Sequence, residues 1–200
     1  MPKYVDHDQR RHDIIAATTC VLAREGLKGL SLNAVAKQLG GTVTLVTHYY
    51  SSKNELINDL ATRMIEDYEL DLKEIEAGID DPYVRLHTFL EWALPLTDVG
   101  LVEERSRIRM IADCDEIPAI RQMFKAFDSR MRGFIRDHLK PLIDQELLDS
   151  SVEMLRVVTT GICLATVENQ VEWPAERQIL VLNHALDFMG LNKKTTGKLI

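Results

Sequence analysis

The stretch of residues 31–53, SLNAVAKQLGGTVTLVTHYYSSK, constrains the fold of this chain more than any other segment. It reads as two short helices joined by two glycines. Ser31 is a suitable N-cap for the first helix, because its hydroxyl can accept a hydrogen bond from a backbone N–H two or three residues later. Gly40 and Gly41 end that helix, since glycine tolerates the left-handed backbone of a helix exit. Thr42 is placed to cap the second helix, and the pattern is that of a helix-turn-helix. The residues of the second helix that we expect to face inward are Val43, Val46 and Tyr50.

The second helix leaves an unusual set of polar side chains outside. They are Thr42, Thr44, Thr47, His48 and Tyr49. In a helix-turn-helix the second helix enters the DNA major groove, so we expect Thr44, Thr47 and His48 to face the bases. Threonine can exchange hydrogen bonds with base edges or set its methyl group against a thymine methyl. Tyr49 and Lys53 are suited to phosphate contacts. Any small helical hairpin also has a polar face, so this local pattern alone leaves a purely structural role open.

Residues 9–60 resemble the DNA-binding domain of the TetR family of bacterial one-component regulators. The matching motifs are Ile14-Ile15-x-Ala17, Leu22-Ala23-x-x-Gly26-Leu27, Ser31-Leu32-x-x-Val35-Ala36, Leu39-Gly40 and Thr47-His48-Tyr49-Tyr50-x-Ser52-Lys53-x-Glu55-Leu56. The last motif is the most specific of them. The chain departs from the family pattern at Gly41, where valine is usual, and at Val43, where a polar residue is common.

The resemblance implies an all-α fold with two domains. Residues 1–52 would form an N-terminal three-helix helix-turn-helix domain, and residues 53–200 a larger C-terminal helical domain for ligand binding and dimerisation. It further implies a cytoplasmic homodimer that represses transcription until a small-molecule ligand releases it from a palindromic operator in double-stranded DNA; activation of transcription stays open as the alternative. The DNA-binding positions would be Ser31, Thr42, Val43, Thr44, Thr47, His48, Tyr49 and Lys53. An all-helical small-molecule-binding enzyme and a protein-interaction module, either with an incidental N-terminal hairpin, are the other classes that stay open.

Charge is unevenly distributed along the chain. The formal net charge is −7, but residues 1–60 carry seven Lys/Arg against six Asp/Glu, so the acidic excess lies in the remainder. A near-neutral N-terminal unit on an acidic body fits a small DNA-binding domain attached to a sensing domain, whereas a purely electrostatic nucleic-acid binder would be basic. Cys20, Cys114 and Cys163 form no C-x-x-C motif and indicate a reduced, cytoplasmic protein. We expect no membrane partner, because the start is polar and we find no uninterrupted apolar stretch of about 18 residues.

Helical periodicity continues through the remaining chain, and no strand-like alternation is visible. Ser150 and Ser151 are placed to cap one of these helices, and an arginine-rich face between residues 121 and 136 is expected to pair with an acidic neighbour. The predicted helices after the helix-turn-helix are 53–76, 82–94, 101–112, 118–139, 150–170 and 174–189; the first helix of the chain is 9–25.

We expect these helices to enclose a mostly apolar small-molecule inducer. Methionine adapts to irregular shapes, and ligand sites in helical proteins are mostly apolar with a few polar groups. The last two predicted helices are apolar on more than one side, which predicts that they form the dimer interface. No cofactor or metal is expected: no histidine follows a glutamate by three residues, as a di-iron bundle requires, and the acidic run at residues 113–116 reads as a polar loop. The candidate ligand contacts are Phe89, Trp92, Met110, Met123, Phe127 and Glu168.

Overall fold

The computed structural model describes residues 7–112 and 118–191, and every regular element in these two ranges is an α-helix. The predicted all-α fold, with an N-terminal helix-turn-helix followed by a helical domain, is confirmed. The helices are α1 His7–Gly29, α2 Leu32–Gln38, α3 Val43–Thr47, α4 Lys53–Ile75, α5 Pro82–Trp92, α6 Asp98–Ala112, α7 Pro118–Leu139, α8 Gln145–Glu168 and α9 Ala175–Phe188.

These helices form two compact units. The first comprises Met1–Glu66 and Val102–Phe124, and the second comprises Asp67–Leu101 and Lys125–Ile200. The first unit is therefore larger than the segment 1–52 that the sequence suggests as a DNA-binding domain. The reason is that Met110 of α6 and Ile120 of α7 belong to the same hydrophobic core as α1 to α4. The functional division at residue 52 stays a prediction.

One hydrophobic core holds the first unit together. Burying a large aliphatic side chain contributes about 1.5–3 kcal/mol. This contribution is decisive for α2 and α3, which have only 7 and 5 residues, because isolated helices of that length are not stable in water. The most deeply buried aliphatic side chains of this core are Ile14, Val21, Leu22, Val35, Val46, Leu56, Ile57, Leu60, Met110 and Ile120.

Two helix boundaries differ from the predicted ones. Gly26, the predicted end of α1, is a kink with φ 66° and ψ −171°, after which a short helical segment continues to Gly29. α8 begins at Gln145, five residues before the predicted cap. Ser150 lies inside this helix, where its hydroxyl donates to the carbonyl of Leu147 at 2.9 Å, so the prediction that it caps the helix is wrong. Serine is favoured at a cap, but inside a helix its hydroxyl can bond back to a carbonyl of the preceding turn, as Ser150 does.

In the second unit, ion pairs join α7 to α8. Arg132 donates from two nitrogens to the two carboxylate oxygens of Glu153 at 2.7 and 3.0 Å. One turn further along α7, Arg136 lies 2.5 Å from a carboxylate oxygen of Asp149. Each such exposed pair contributes little by itself, but the series confirms that the arginine-rich face of α7 pairs with an acidic neighbour.

α8 is also long and apolar enough to cross a membrane, by length and composition only. The sequence analysis did not anticipate this, because polar residues interrupt the apolar ones throughout the helix. Its buried residues, among them Val152, Leu155 and Ile162, pack inside the second unit. A core helix has the same length and composition, so this feature does not by itself indicate a membrane span.

The two glycines between α2 and α3 are predicted to respond differently to substitution. Gly40 has φ +68°, whereas Gly41 has no positive φ, and a Cβ there would meet only Leu45 Cδ1 at an ordinary 3.8 Å. We expect Gly40→Ala to lower the free energy of unfolding by about 1–2 kcal/mol, the cost of a left-handed non-glycine residue. The matched change Gly41→Ala should raise it by about 0.4–1 kcal/mol. Denaturant titration of both variants checks this, and equal effects at the two positions would contradict it.

Candidate nucleic-acid interface

α3 is a very short helix, and only one of its sides is buried. Val46 is 0% exposed and Tyr50 is 1% exposed, as predicted. Val43, which we expected to face inward, is 38% exposed, so that expectation is wrong. With five residues, α3 reaches the core only through its C-terminal turn. The exposed residues of this segment are Thr42, Val43, Thr44, Thr47 and His48.

A partly buried hydrogen bond ties the end of the α3 segment to α4. The Tyr50 hydroxyl donates to Asp59 Oδ2 at 2.5 Å, and Arg63 Nε donates to the same oxygen at 3.0 Å. Burial raises the pKa of the Tyr50 phenol far above its usual value, and the hydrogen bond to Asp59 and the carboxylate charge raise it further. The phenol therefore stays protonated and remains a donor, which fixes the position of the preceding helix.

The side-chain hydroxyl groups at α2 and α3 differ in the hydrogen bonds that they make. Ser31 accepts a hydrogen bond from the backbone N–H of Ala34 at 3.1 Å and caps α2, as predicted. Thr42 occupies the N-cap position of α3 but makes no capping hydrogen bond with its side chain, so the prediction that it caps this helix is wrong. Thr47 donates to the carbonyl of Thr44 at 3.3 Å, and its oxygen keeps its capacity to accept from another donor.

The start of α4 is fixed by its own hydrogen bonds. The Glu55 backbone N–H donates to Ser52 Oγ at 3.2 Å, while Glu55 Oε2 accepts from both the backbone N–H and the hydroxyl of Ser51 at 2.7 Å. These two bonds from Ser51 lower the pKa of the Glu55 carboxyl. Lys53 is half-buried, and its ammonium donates to the backbone carbonyl of Leu27. An ammonium has three donors, so a phosphate contact by Lys53 is compatible with this bond and stays a prediction.

Sequence analysis missed one residue beside this surface. His7, the first residue of α1, places Nδ1 3.0 Å from the hydroxyl oxygen of Tyr49. Its ring centroid lies 5.8 Å from that of Tyr49 and 6.4 Å from that of His48. The His48 and Tyr49 rings meet edge to face at 5.1 Å. No local pattern could reveal this contact, because 42 residues separate His7 from Tyr49.

Three of the predicted ligand contacts lie together in the second unit. The Tyr68 ring touches the rings of Trp92 and Phe127, with centroid distances of 5.1 and 5.5 Å, and Phe89 lies 6.2 Å from Trp92. Phe89 also stacks on the His138 imidazole at 4.7 Å. We call Tyr68, Phe89, Trp92 and Phe127 the aromatic cluster. Phe89 and Phe127 are buried, whereas Tyr68 and Trp92 are half-buried.

The other predicted ligand contacts lie elsewhere. Met110 and Met123 are 1% and 7% exposed and belong to the core of the first unit. Glu168 is exposed on the last turn of α8. The contact of these three residues with a ligand stays a prediction.

Within residues 7–112 and 118–191 the side chains form no group of three or more histidine, cysteine, aspartate or glutamate residues that could hold a metal ion. The acidic run at 113–116, which includes Cys114, lies outside the described residues. Cys20 and Cys163 take part in no disulfide bond within the described residues.

Comparison with known proteins connects the N-terminal segment to a family. Residues 14–60 match the family model described as bacterial regulatory proteins, tetR family. The chain is 39% identical over 57 residues to the HTH-type transcriptional regulator PksA of Bacillus subtilis, a match that spans only 28% of either protein. It is 20% identical over 193 residues to the HTH-type transcriptional regulator BetI of Vibrio campbellii, which covers 94% of this chain and 95% of that protein.

Solved structures share the fold over nearly the whole chain. A transcriptional regulator from Rhodococcus sp. Rha1 superposes with a TM-score of 0.77 at 21% identity and covers 89% of this chain and 94% of its own. A transcriptional regulator from Saccharomonospora viridis, solved in complex with choline, superposes with a TM-score of 0.75 at 16% identity and covers 90% and 97%.

The Tyr50–Asp59 hydrogen bond is predicted to contribute measurably to stability. Tyr50→Phe removes only the donor and leaves Asp59 paired with Arg63, so the free energy of unfolding should fall by about 1.5–3 kcal/mol, typical of a hydrogen bond to a charged group. A raised tyrosine pKa stabilises the fold below the unfolded value of about 10 and loses its effect above it. The loss in Tyr50→Phe should therefore be equal at pH 7 and pH 9 in denaturant titrations. A loss that disappears between these values would contradict the assignment.

Proposed function

We infer a repressor mechanism from the premise that this chain belongs to the tetR family of bacterial regulatory proteins and is a DNA-binding transcription regulator, not an enzyme. In this mechanism two copies hold a palindromic operator, and a small molecule releases them. The single observation that carries the proposal is the exposed polar face of α3 beside the buried anchors Val46 and Tyr50. Chromosomal DNA as the target also places the regulator in the cytoplasm.

The α3 face supports direct reading of bases in the major groove. Thr44, Thr47 and His48 offer hydroxyl, methyl and imidazole groups at base-contact positions. Ser31, Thr42 and Val43 lie at or next to the first residues of α2 and α3 and would complete the contact surface. Tyr49 and Lys53 would bind phosphates, which positions the helix without reading sequence.

Dimerisation through α8 and α9 is supported by apolar side chains that the second unit leaves uncovered. Met154, Val157 and Leu164 are 50%, 66% and 43% exposed and recur at helical spacing along α8. On α9, which packs against α8, Leu180 and Phe188 are 53% and 90% exposed. Exposed apolar surface of this extent marks an interaction site. A two-fold dimer would present two α3 helices about 34–36 Å apart, or a multiple of that, to a palindrome.

The aromatic cluster is the proposed ligand site of the second unit. Phe89, Trp92 and Phe127 supply a mostly apolar surface that is half-open at Trp92 and Tyr68. The structural relative bound to choline supports a small-molecule ligand for this fold. α4 carries both Lys53, next to the DNA-reading residues, and Tyr68 of the cluster. It is therefore the helix that we propose transmits ligand binding to the DNA-reading residues. The ligand must bind the released state more tightly than the DNA-bound state, and a coupling of about 1–3 kcal/mol is typical.

Base contact and phosphate contact are separable by two substitutions. Thr47→Ala should weaken binding to a specific duplex by about 1–3 kcal/mol and leave random-sequence binding nearly unchanged. Lys53→Ala should weaken both and reduce the salt dependence of the affinity by about one phosphate contact. Fluorescence anisotropy on a duplex selected from a random pool by the full-length chain, over a series of salt concentrations, measures both effects. Equal losses on specific and random DNA for both variants would contradict the proposed roles.

The proposed dimer interface is tested by adding a charge to it. Val157→Glu should convert the dimer to a monomer at micromolar concentration, because an unpaired carboxylate would be buried between two apolar faces. The matched control is Leu70→Glu on α4, since Leu70 is 63% exposed and lies outside α8 and α9. Light scattering of both variants reads the mass. A monomeric wild-type chain, or a dimer that survives Val157→Glu, would count against this interface.

A further inference from the structure

An exposed group of three aromatic side chains lies at the end of α3, and one of its members comes from the start of the chain. His7, His48 and Tyr49 form this group, which we call the aromatic triad. His7 Nδ1 lies 3.0 Å from the Tyr49 hydroxyl oxygen, and the three ring centroids lie 5.1 to 6.4 Å apart. His7 and His48 are exposed and Tyr49 is half-buried, so burial in the core does not explain why the three rings meet.

The contact between His7 and Tyr49 matters because Tyr49 lies directly after the end of α3. α3 ends at Thr47, and the backbone N–H of Tyr49 bonds to the carbonyl of Val46 at 3.0 Å in the turn that follows. This bond fixes the backbone, and the Tyr49 side chain packs against the core of the first unit, but neither contact fixes the direction of the hydroxyl hydrogen. Within the described residues, the phenol oxygen has a hydrogen-bonding partner in His7.

We propose that His7 is a positioning residue of the DNA interface: it holds the Tyr49 phenol in place for a phosphate and makes DNA binding depend on a proton. The inference rests on the proposed function, because it needs Tyr49 at the phosphate backbone. A phenol that is already fixed loses less rotational freedom when it contacts DNA, and such losses reduce affinity.

The presence or absence of a proton on His7 Nδ1 decides the direction of its hydrogen bond with the Tyr49 hydroxyl. When Nδ1 carries no proton, it accepts the hydroxyl hydrogen of Tyr49, and the phenol cannot donate to a phosphate. When Nδ1 carries a proton, as it does in one neutral tautomer and in the imidazolium, it donates to the phenol oxygen, and the hydroxyl hydrogen can be donated to a phosphate oxygen. An imidazolium has protons on both nitrogens, so protonation excludes the tautomer in which Nδ1 accepts and adds a positive charge near the DNA. Binding should therefore be stronger at pH 6 than at pH 8.

The effect of His7 on DNA binding must be distinguished from the effects of other titratable and charged groups near it. The titratable groups that face it from the α3 segment are the His48 imidazole and the Tyr49 phenol, and on α1 the neighbouring charges are Asp8, Arg10 and Arg11. His48 would keep a pH response of its own in any His7 variant. His12, exposed on the same helix and absent from the triad, provides the matched control.

The experiment measures the affinity of the full-length chain for a duplex that it selects from a random pool, at pH 6 and pH 8. His7→Asn places an amide near the position of Nδ1 without a titrating proton, and His12→Asn removes an imidazole from the same helix. We expect His7→Ala to weaken binding about 3- to 10-fold, the range for one mobile side chain. His7→Asn should retain most of the affinity at pH 8 and lose part of the strengthening at pH 6 that wild type and His12→Asn keep.

A Tyr49→Phe background distinguishes positioning from a general structural role. If His7 acts through the Tyr49 hydroxyl, His7→Ala should cost less affinity at pH 8 once that hydroxyl is gone, because only the charge contribution of His7 then remains to be lost. Equal losses in the two backgrounds, or a His7→Asn variant whose pH response matches that of His12→Asn, would overturn this inference alone. A wild-type chain that binds and enriches no duplex would overturn the proposed function and this inference with it. Thermal unfolding of each variant, expected within the wild-type range, excludes loss of the fold as the cause.

Discussion

The burial of Val46 and Tyr50 is the constraint on which the DNA-reading surface depends. α3 has five residues, too few to be stable alone, so its orientation is set by these two side chains. The hydrogen bond from Tyr50 to Asp59 then ties the segment to α4, and Arg63 holds the same carboxylate. Because the buried side of α3 fixes the orientation of the helix, its opposite side can carry the solvent-exposed Thr44, whose side chain is not needed for packing.

The same constraint explains why α4 is suited to transmit a signal. Its first turn is held by hydrogen bonds from Ser51 and to Ser52, and its third and seventh residues after Lys53, Leu56 and Leu60, share the core with α3. Further along the same helix, Tyr68 contacts Trp92 and Phe127. A ligand that changes the packing of Tyr68 acts on a helix that also carries the anchor of the recognition segment. This continuity makes a two-state mechanism physically reasonable, since packed helices move as rigid elements.

Much of the fold could be predicted from local sequence, and the failures have a common physical cause. The turn at Gly40 and the burial of Val46 and Tyr50 follow from backbone conformation and helical periodicity, which are properties of neighbouring residues. Periodicity shows that Met110 will be buried but not which helices will cover it, and it lies in the core of the first unit. His7 contacts Tyr49 across 42 residues, a contact that only tertiary packing creates. The assignments of individual DNA-binding and ligand-binding residues stay predictions.

The central claim is that a dimer of this chain reads an inverted DNA repeat with α3. Selection of duplexes from a random-sequence pool by the full-length chain, followed by sequencing of the bound fraction, tests it directly. The account predicts an enriched inverted repeat whose half-sites lie about one helical turn apart, or a whole multiple of it, centre to centre. Recovery of no enriched sequence, or of single half-sites without a symmetric partner, would contradict it.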